Sequence, residues 1–387
     1  MPVINRVAEM QDQIAEWRRH IHENPELLYD VHETSKFVAE KLKAFGVDVV
    51  ETGIGRTGVV GIIKGNLGDG PVIGFRADMD ALPIFETSGK PWASKTPGKA
   101  HSCGHDGHTA MLLGAAQYLA ETRNFKGSVA VIFQPAEEGG AGALAMINDG
   151  LMEKFGIEEV YGMHNEPRLP VGSFATRKGG VMAAADTFEI TINGRGSHAA
   201  QPHNSIDPVL AASHVVVALQ SIVSREMDPL KSLVVTVASV HGGDANNVIP
   251  AFVKLGGTVR TLLPETREFA EKRLKEVAEA TAIAHGATAE VNYRRGYPVT
   301  FNHDEETDFA VEIASKIVGP KAVNTGMAPH MGAEDFSYML EKRPGAFIFI
   351  GNGETASLHN AAYDFNDEAI PFGVSYWVTL AETALAA

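Results

Sequence analysis

Eight consecutive residues, His101-Ser102-Cys103-Gly104-His105-Asp106-Gly107-His108, carry the side-chain types that a borderline transition metal favours. They hold the single cysteine of the 387-residue chain and three of its 15 histidines. A lone cysteine closes no disulfide within its chain, so its reactivity or metal affinity is the more informative property. Thiolate, imidazole and carboxylate suit Zn²⁺ and its neighbours far better than Mg²⁺ or Ca²⁺. Taken alone, the stretch would also describe a buried thiol beside surface histidines. A second group with chemical potential is Glu137-Glu138, adjacent carboxylates followed by Gly139-Gly140. In isolation such a pair reads as a solvated loop.

The elements that must position these residues decide between the readings. Val7, Met10, Ile14, Trp17 and Ile21 alternate at spacings of three and four and predict an amphipathic helix ending at Asn24-Pro25. A second helix is expected over 33–45. Short apolar runs at 58–63, 71–77, 129–133 and 159–163 read as buried strands, and the alanine-rich stretch 109–119 as a buried helix. Continuous apolar strands separated by helices indicate an α/β sheet covered on both faces. From Asp186 the pattern changes: Phe188, Ile190 and Ile192 alternate with polar residues. A helix at 207–225, strands at 233–240 and 252–262, a helix at 265–285 and a strand at 287–293 complete a β-α-β-β-α-β order, that of a ferredoxin-like unit. A helix at 306–317 and an apolar strand at 346–350 return to the first pattern. The expected organisation is a discontinuous α/β domain, 1–185 and 296–387, with a mixed sheet and an inserted ferredoxin-like domain at 186–295.

In open α/β sheets, sites form beyond the carboxyl ends of strands. The strand at 71–77 runs into Asp78-Met79-Asp80, and that at 129–133 into Gln134-Pro135-Ala136-Glu137-Glu138. The strand at 159–163 ends at His164, and that at 346–350 precedes His359. The octapeptide precedes the helix expected near Thr109. Five segments thus bring metal-type residues to one sheet edge.

The formal net charge of −15 argues against nucleic acid and anionic membrane as partners. The first residues lack the apolar core of a signal peptide, and no apolar run approaches the roughly 18 residues that span a bilayer. A cytoplasmic protein is the simplest expectation. Gly-x-Ser-x-Gly is absent, which removes the commonest setting for a serine nucleophile.

Along nearly its whole length the chain resembles the co-catalytic dinuclear metallopeptidase family. The resemblance is to its amidohydrolase subgroup of hippurate hydrolases, aminoacylases and auxin-conjugate hydrolases, with carboxypeptidases as relatives. It rests on Ile21-His22-Glu23-Asn24-Pro25-Glu26-Leu27, Arg76-Ala77-Asp78-Met79-Asp80-Ala81-Leu82-Pro83, the octapeptide and Gln134-Pro135-Ala136-Glu137-Glu138. It extends through Gly196-Ser197-His198-Ala199-Ala200, Asn247-Val248-Ile249-Pro250, Met331-Gly332-Ala333-Glu334-Asp335-Phe336 and Leu358-His359-Asn360.

The resemblance implies two divalent transition-metal ions, Zn²⁺ or Mn²⁺ before Co²⁺ or Ni²⁺, held by Cys103, His105, Glu138, His164 and His359. It implies Glu137 as the base that takes a proton from the attacking water and passes it to the leaving amine. Asp80 matches the family's orienting aspartate, and His198 the histidine of the lid, which donates to the oxyanion and reaches a neighbouring subunit's site in dimers. Asn246 and Arg260 match positions that hold the substrate's free carboxylate. The implied reaction is hydrolysis of an N-acyl amino acid, a small-molecule substrate, by a homodimer or higher homo-oligomer formed through the lid. A dipeptidase or carboxypeptidase on the same scaffold is the nearest alternative, and a non-catalytic binding relative a more distant one. Many family members carry a ligand histidine where this chain has Asp78. The resemblance therefore leaves Asp78 as a partner of a ligand histidine, and His101 and His108 as supporting residues.

Overall fold

The computed structural model of the chain describes residues 3–386. They form two compact units. The first runs to Gly179 and takes in Phe301–Ala328 and the chain from Asp335 on. The second is Gly180–Thr300 with Pro329–Glu334, wider at both ends than the inserted segment expected from the change of pattern.

The first unit is built on a mixed eight-stranded sheet. Its strand order is Val49–Ile54, Gly58–Lys64, Ser128–Gln134, Val72–Asp78, Ile157–Pro167, Gly345–Gly353, Phe174–Ala175 and Val323–Asn324. Val72–Asp78 runs parallel to both its neighbours, and Gly345–Gly353 parallel to Ile157–Pro167. Gly58–Lys64 is antiparallel to both of its neighbours. The register sets Asp78 beside Gln134 and His164 beside Phe349.

Central strands are buried on both faces, as their unbroken apolar runs require. The helix His105–Thr122 is apolar all round because it is covered all round: Met111, Leu112, Leu113, Ala115, Ala116 and Leu119 have no exposed surface. It lies between the sheet, the helix Gln11–Glu23 and the C-terminal helix Ile370–Ala384. At Gly114 an added Cβ would lie 2.5 Å from Ile14 Cδ1, so the close approach of Gln11–Glu23 depends on that glycine.

Three differences from the sequence reading have local causes. The N-terminal helix is two, Asn5–Glu9 and Gln11–Glu23, because the Met10 N–H reaches the Arg6 and Val7 carbonyls and tightens the turn there. Its apolar spacing crosses the break, and Val7, Met10, Ile14, Trp17 and Ile21 are all buried. The strand Val49–Ile54 escapes a hydrophobicity reading because only Ile54 is buried in it. The helix Pro208–Glu226 is, by length and composition, apolar enough to cross a bilayer, contrary to the reading above, since its polar residues are few and uncharged before Arg225. Its Ala211, Ala212, Val215, Leu219 and Ile222 belong to a packed core.

That core is the second unit's. Four strands lie in the order Leu233–His241, Phe252–Thr261, Ala184–Asn193 and Thr288–Arg294, every neighbour antiparallel. With the helices Pro208–Ser221 and Pro264–Ala284 they follow the chain order β-α-β-β-α-β. Phe188, Ile190 and Ile192 face the helices' apolar residues, while Thr187 and Glu189 are exposed.

Leu112, in the helix that the second half of the octapeptide begins, has no exposed surface and belongs to the first unit's core. Leu112→Ala should lower the urea-unfolding free energy by about 2–5 kcal/mol. A change under about 0.5 kcal/mol would mean that the helix is not held by this packing.

Candidate metal centre

The octapeptide does not stop short of a helix. Its second half is the helix: His105–Thr122 begins at His105, and His105, Asp106, Gly107 and His108 are all buried in its first turn. Gly104 precedes it with φ 89, a left-handed conformation that glycine adopts without penalty. A Cβ at Gly104 would lie 2.2 Å from Asn165 Nδ2 and 2.6 Å from the Tyr363 hydroxyl. At Gly107 it would lie 2.3 Å from the Phe365 ring. Both glycines therefore let this turn seat against the segments carrying His164 and His359.

Six donors gather at this end of the first unit's sheet. Ligand atoms of Cys103, His105 and His164 lie within 4.8 Å of one another, as do those of Cys103, Glu138 and His359, and of His105, Glu137 and Glu138. Cys103 Sγ is 3.4 Å from His164 Nε2, and His359 Nε2 is 3.1 Å from Glu138 Oε1. Cys103 thus belongs to two overlapping groups, the arrangement a bridging ligand needs. His164 lies within the strand Ile157–Pro167, where a terminal position was expected, because that strand continues alongside Gly345–Gly353.

The surrounding hydrogen bonds distinguish the histidine rings. His105 Nδ1 donates to the Asp80 carbonyl at 2.7 Å, leaving Nε2 buried without a hydrogen bond, 3.7 Å from Asp78 Oδ2. His164 Nδ1 donates to the Asn165 carbonyl at 2.7 Å, leaving Nε2 toward the thiol. Each imidazole is oriented through one nitrogen and offers the other, the usual arrangement behind metal-binding histidines. His108 offers neither: Nδ1 donates to Asp78 Oδ1 at 2.6 Å, and Nε2 accepts the Asn165 N–H at 2.9 Å. Asp78 in turn accepts from Arg76 Nη1 at 2.6 Å. The Asp80 carboxylate accepts the backbone N–H groups of Glu137 at 2.9 Å and Glu138 at 3.1 Å, so one aspartate orients the whole glutamate pair. The sequence supplied Asp80 as an orienting residue; this second contact had no sequence signal.

The charges divide in the same way. Burial opposes ionisation of Asp78, yet His105, Arg76 and His108 hold its pKa well below the usual carboxylate range. Burial opposes a charge on His105 too, but Asp78, Asp80 and Glu138 keep its pKa at about 10. Burial, then Glu138, Glu137 and Asp78, push the Cys103 thiol well up. The pocket attracts positive charge, and a bound cation would reverse the thiol's preference. His101 is buried with neither ring nitrogen partnered, and burial lowers its pKa to about 3.

The remaining candidates lie in the second unit. His198 is exposed on the short strand Ser197–His198, paired with Val248–Ile249. Its Nδ1 accepts the Ala200 N–H at 3.1 Å, which places the proton of the neutral ring on Nε2. Asn246 is exposed in the turn before Val248–Ile249. Arg260 is half-buried on Phe252–Thr261, with Nη1 2.6 Å from Thr258 Oγ1.

Behind the first turn of His105–Thr122 lies a group that sequence reasoning gave no role. His22 Nδ1 is 2.8 Å from Asp106 Oδ2 and Nε2 is 3.3 Å from Glu86, and Arg18 Nη1 is 3.4 Å from the same Asp106 oxygen. The signal available was His22 within Ile21-His22-Glu23-Asn24-Pro25, a cluster of polar residues on a helix otherwise read by its apolar spacing.

Residues 74–383 match the model of peptidase family M20/M25/M40. The chain belongs to this family. It is 44% identical to the hippurate hydrolase of Campylobacter jejuni over 98% of its own length and 99% of that protein's. It is 42% identical to thermostable carboxypeptidase 2 of Saccharolobus solfataricus, over 90% of this chain and 88% of that one. The crystal structure of the Bacillus subtilis YXEP protein, described as a dinuclear metal binding peptidase, superposes with a TM-score of 0.86. The two share 36% identity over 98% of this chain and 99% of that one. The resemblance read from the motifs holds, and the chain is a hydrolase of this family rather than a non-catalytic relative.

Burial alone would lower the His22 pKa, but Asp106 and Glu86 raise it to about 9 from an ordinary 6.5. A group raised on folding stabilises fully below its unfolded pKa and loses that contribution as pH passes its folded pKa. The chelated chain should therefore lose stability between about pH 6.5 and 9, and His22→Gln should flatten that fall. Parallel urea midpoints for both proteins across this range would exclude a charged His22.

Proposed function

We propose that the chain hydrolyses the amide bond of N-acyl amino acids, using two divalent ions held by Cys103, His105, Glu138, His164 and His359. The observation that carries the reading is the convergence of these donors with Glu137 at one sheet end, where a single carboxylate, Asp80, holds both glutamate backbones. The donor set fits a metal pair: His105 Nε2 is buried with no hydrogen bond, and the Cys103 thiol is pushed up by its burial among carboxylates, a setting that a cation would relieve. Thiolate and imidazole favour Zn²⁺, and Mn²⁺, Co²⁺ and Ni²⁺ remain open to the carboxylate-rich side. The similarity to a hippurate hydrolase over nearly the whole chain supports an N-acyl amino acid as substrate. The carboxypeptidase relative supports a second reading, peptide hydrolysis from the carboxyl end on the same scaffold.

The ions would supply a Lewis acid for the scissile carbonyl and a lowered pKa for the attacking water. Glu137 takes that water's proton and carries it to the leaving nitrogen, so no covalent bond to the enzyme forms. Asp80 keeps Glu137 and Glu138 in their separate roles by fixing the backbone between them. His198, with its proton on Nε2, donates to the oxyanion of the tetrahedral intermediate. Asn246 and Arg260 hold the free carboxylate of the substrate, for which a guanidinium fork is suited. The second unit is the lid and the dimerisation element; the exposed Leu210, Val217 and Ile283 on its helices support that part of the reading.

Release of glycine from N-benzoylglycine, abolished by chelator and restored by added metal, tests the reaction. Glu137→Gln should keep the metal while turnover falls by about 10²- to 10⁴-fold. Glu138→Gln and Cys103→Ala should lose metal. If Cys103→Ala keeps two ions and near-normal turnover, the ligand set is wrong. Activity should fall in acid, as ligand imidazoles take up protons in competition with metal; a flat rate from about pH 5 to 8 counts against the assignment.

His198→Ala should lower kcat by about 10²- to 10³-fold with little change in KM. Arg260→Ala should raise KM for free acids more than for the corresponding amides. Mixing His198→Ala with Glu137→Gln chains should restore some activity if His198 serves a partner's site. No recovery after verified subunit exchange would remove that arrangement.

A further inference from the structure

Arg18 lies in the helix Gln11–Glu23 with no exposed surface. Its guanidinium meets three carboxylates from two distant parts of the chain. Nε is 2.8 Å from Asp367 Oδ1, and Nη1 is 3.3 Å from Asp364 Oδ1 and 3.4 Å from Asp106 Oδ2. Asp106 directly follows His105, while Asp364 and Asp367 lie on the segment that follows His359. That segment is also tied to the stretch leading into the octapeptide. Trp92 Nε1 donates to Asp364 Oδ1 at 3.0 Å, and the Thr87 N–H to the Ala361 carbonyl at 2.7 Å. Arg19 stacks 4.0 Å from the centre of the Trp92 ring and pairs with Asp367 Oδ2 at 2.7 Å.

His359 needs such support. Its side chain is 54% exposed, so packing does little to fix it. Its backbone has φ 60, a left-handed conformation unfavourable to a residue with a Cβ. Its N–H is anchored to the Ser102 carbonyl at 2.7 Å, one residue from Cys103. Conformations of this kind persist only where the surroundings over-determine them.

We infer that Arg18 is a positioning residue for the metal centre. It holds the segment behind His359 against the carboxylate beside His105, and so sets the separation of ligands that enter from opposite ends of the chain. This rests on the ligand set proposed above. The chemistry requires arginine: its planar fork reaches several oxygens in fixed directions, whereas a lysine ammonium is a point charge on a flexible stem. Arg18→Lys therefore keeps a cation among the three carboxylates while removing the geometry. Asp364→Asn removes the charge from one limb of the same contact and leaves Arg18 in place.

The test uses full-length chain stripped with chelator and titrated with Co²⁺, read in the near-ultraviolet thiolate-to-cobalt band and the visible d–d bands. In both variants the thiolate band should persist, since Cys103 is untouched. The d–d envelope should change and the apparent Co²⁺ affinity should fall about 10- to 100-fold, as removal of a residue that orients ligands typically does. The urea midpoint of the metal-free chain should stay near the wild-type value. Should Arg18→Lys fail to fold, Asp364→Asn decides on the same criteria. Wild-type bands and affinity in the folded variants, with the thiolate band present in the wild type, would overturn the role of Arg18 and leave the ligand set standing. An affinity loss matched by loss of metal-free stability would make Arg18 a residue of the fold and equally overturn it. Absence of a thiolate band from the wild-type chain loaded with Co²⁺ would remove the ligand set itself.

Discussion

The sheet end of the first unit gathers acidic side chains more densely than it gathers cations. Cys103, Asp78, Asp80 and Glu137 are each less than a tenth exposed, and Glu138 stands beside them. Taking an ionised carboxylate out of water costs several kcal/mol even after the protein relaxes. The chain meets that cost differently for different members. Asp78 has Arg76 and His108, and Asp80 has two backbone N–H groups. Asp106 has Arg18 and His22, which hold it below the usual carboxylate range against its burial. Cys103, by contrast, faces carboxylates, and its thiol is pushed up by burial and by them. The proposed cation site lies at Cys103, where burial and neighbouring carboxylates act in the same direction.

That gathering imposes a demand on the backbone, because the candidate donors come from separate segments. Close approach is obtained with conformations that ordinary residues avoid. Gly104 has φ 89 before the helix, Ala136 has φ 54 immediately before Glu137, and His359 has φ 60. A left-handed non-glycine residue costs on the order of 1–2 kcal/mol. Two of them at ligand-bearing turns, at Ala136 and His359, are tolerated because hydrogen bonds fix their neighbours: Ala136 N–H to the Leu28 carbonyl at 3.1 Å, and His359 N–H to Ser102. The leading segments of the chain, Gln11–Glu23 and the turn around Leu28, thus act on the centre without contributing a donor to it.

Much of the fold was legible because buried strands are nearly continuous apolar runs and the second unit's first strand alternates cleanly. The candidate donors stood out because cysteine and clustered histidine are rare and have few structural uses. What escaped the sequence depends on register and on hydrogen bonds that composition does not report. The edge strand Val49–Ile54 is half solvated and carries no strong pattern. The helix start at His105 is hidden because polar residues occupy a first turn that is buried. Arg18 sits on the helix that the apolar spacing identified, but its partners are 88, 346 and 349 residues away. No local pattern announces a contact at that separation.

Asp78 shows how a buried carboxylate is built into the support of the centre. With Asp78 ending the strand, the carboxylate turns to His108, which accepts the Asn165 N–H. Asn165 spends its side chain on the same neighbourhood: Nδ2 donates to the Cys103 carbonyl at 2.6 Å, and Oδ1 accepts from the Tyr363 hydroxyl at 2.5 Å. Its own carbonyl orients His164. A path of hydrogen bonds therefore runs from Arg76 through Asp78, His108 and Asn165 to the backbone of Cys103 and the ring of His164. Every member is buried, so a missing partner would leave a polar group unsatisfied, which is costlier than the bond itself is worth. Asp78 thus fixes the tautomer of His108, whose other nitrogen accepts the N–H of the residue that follows His164.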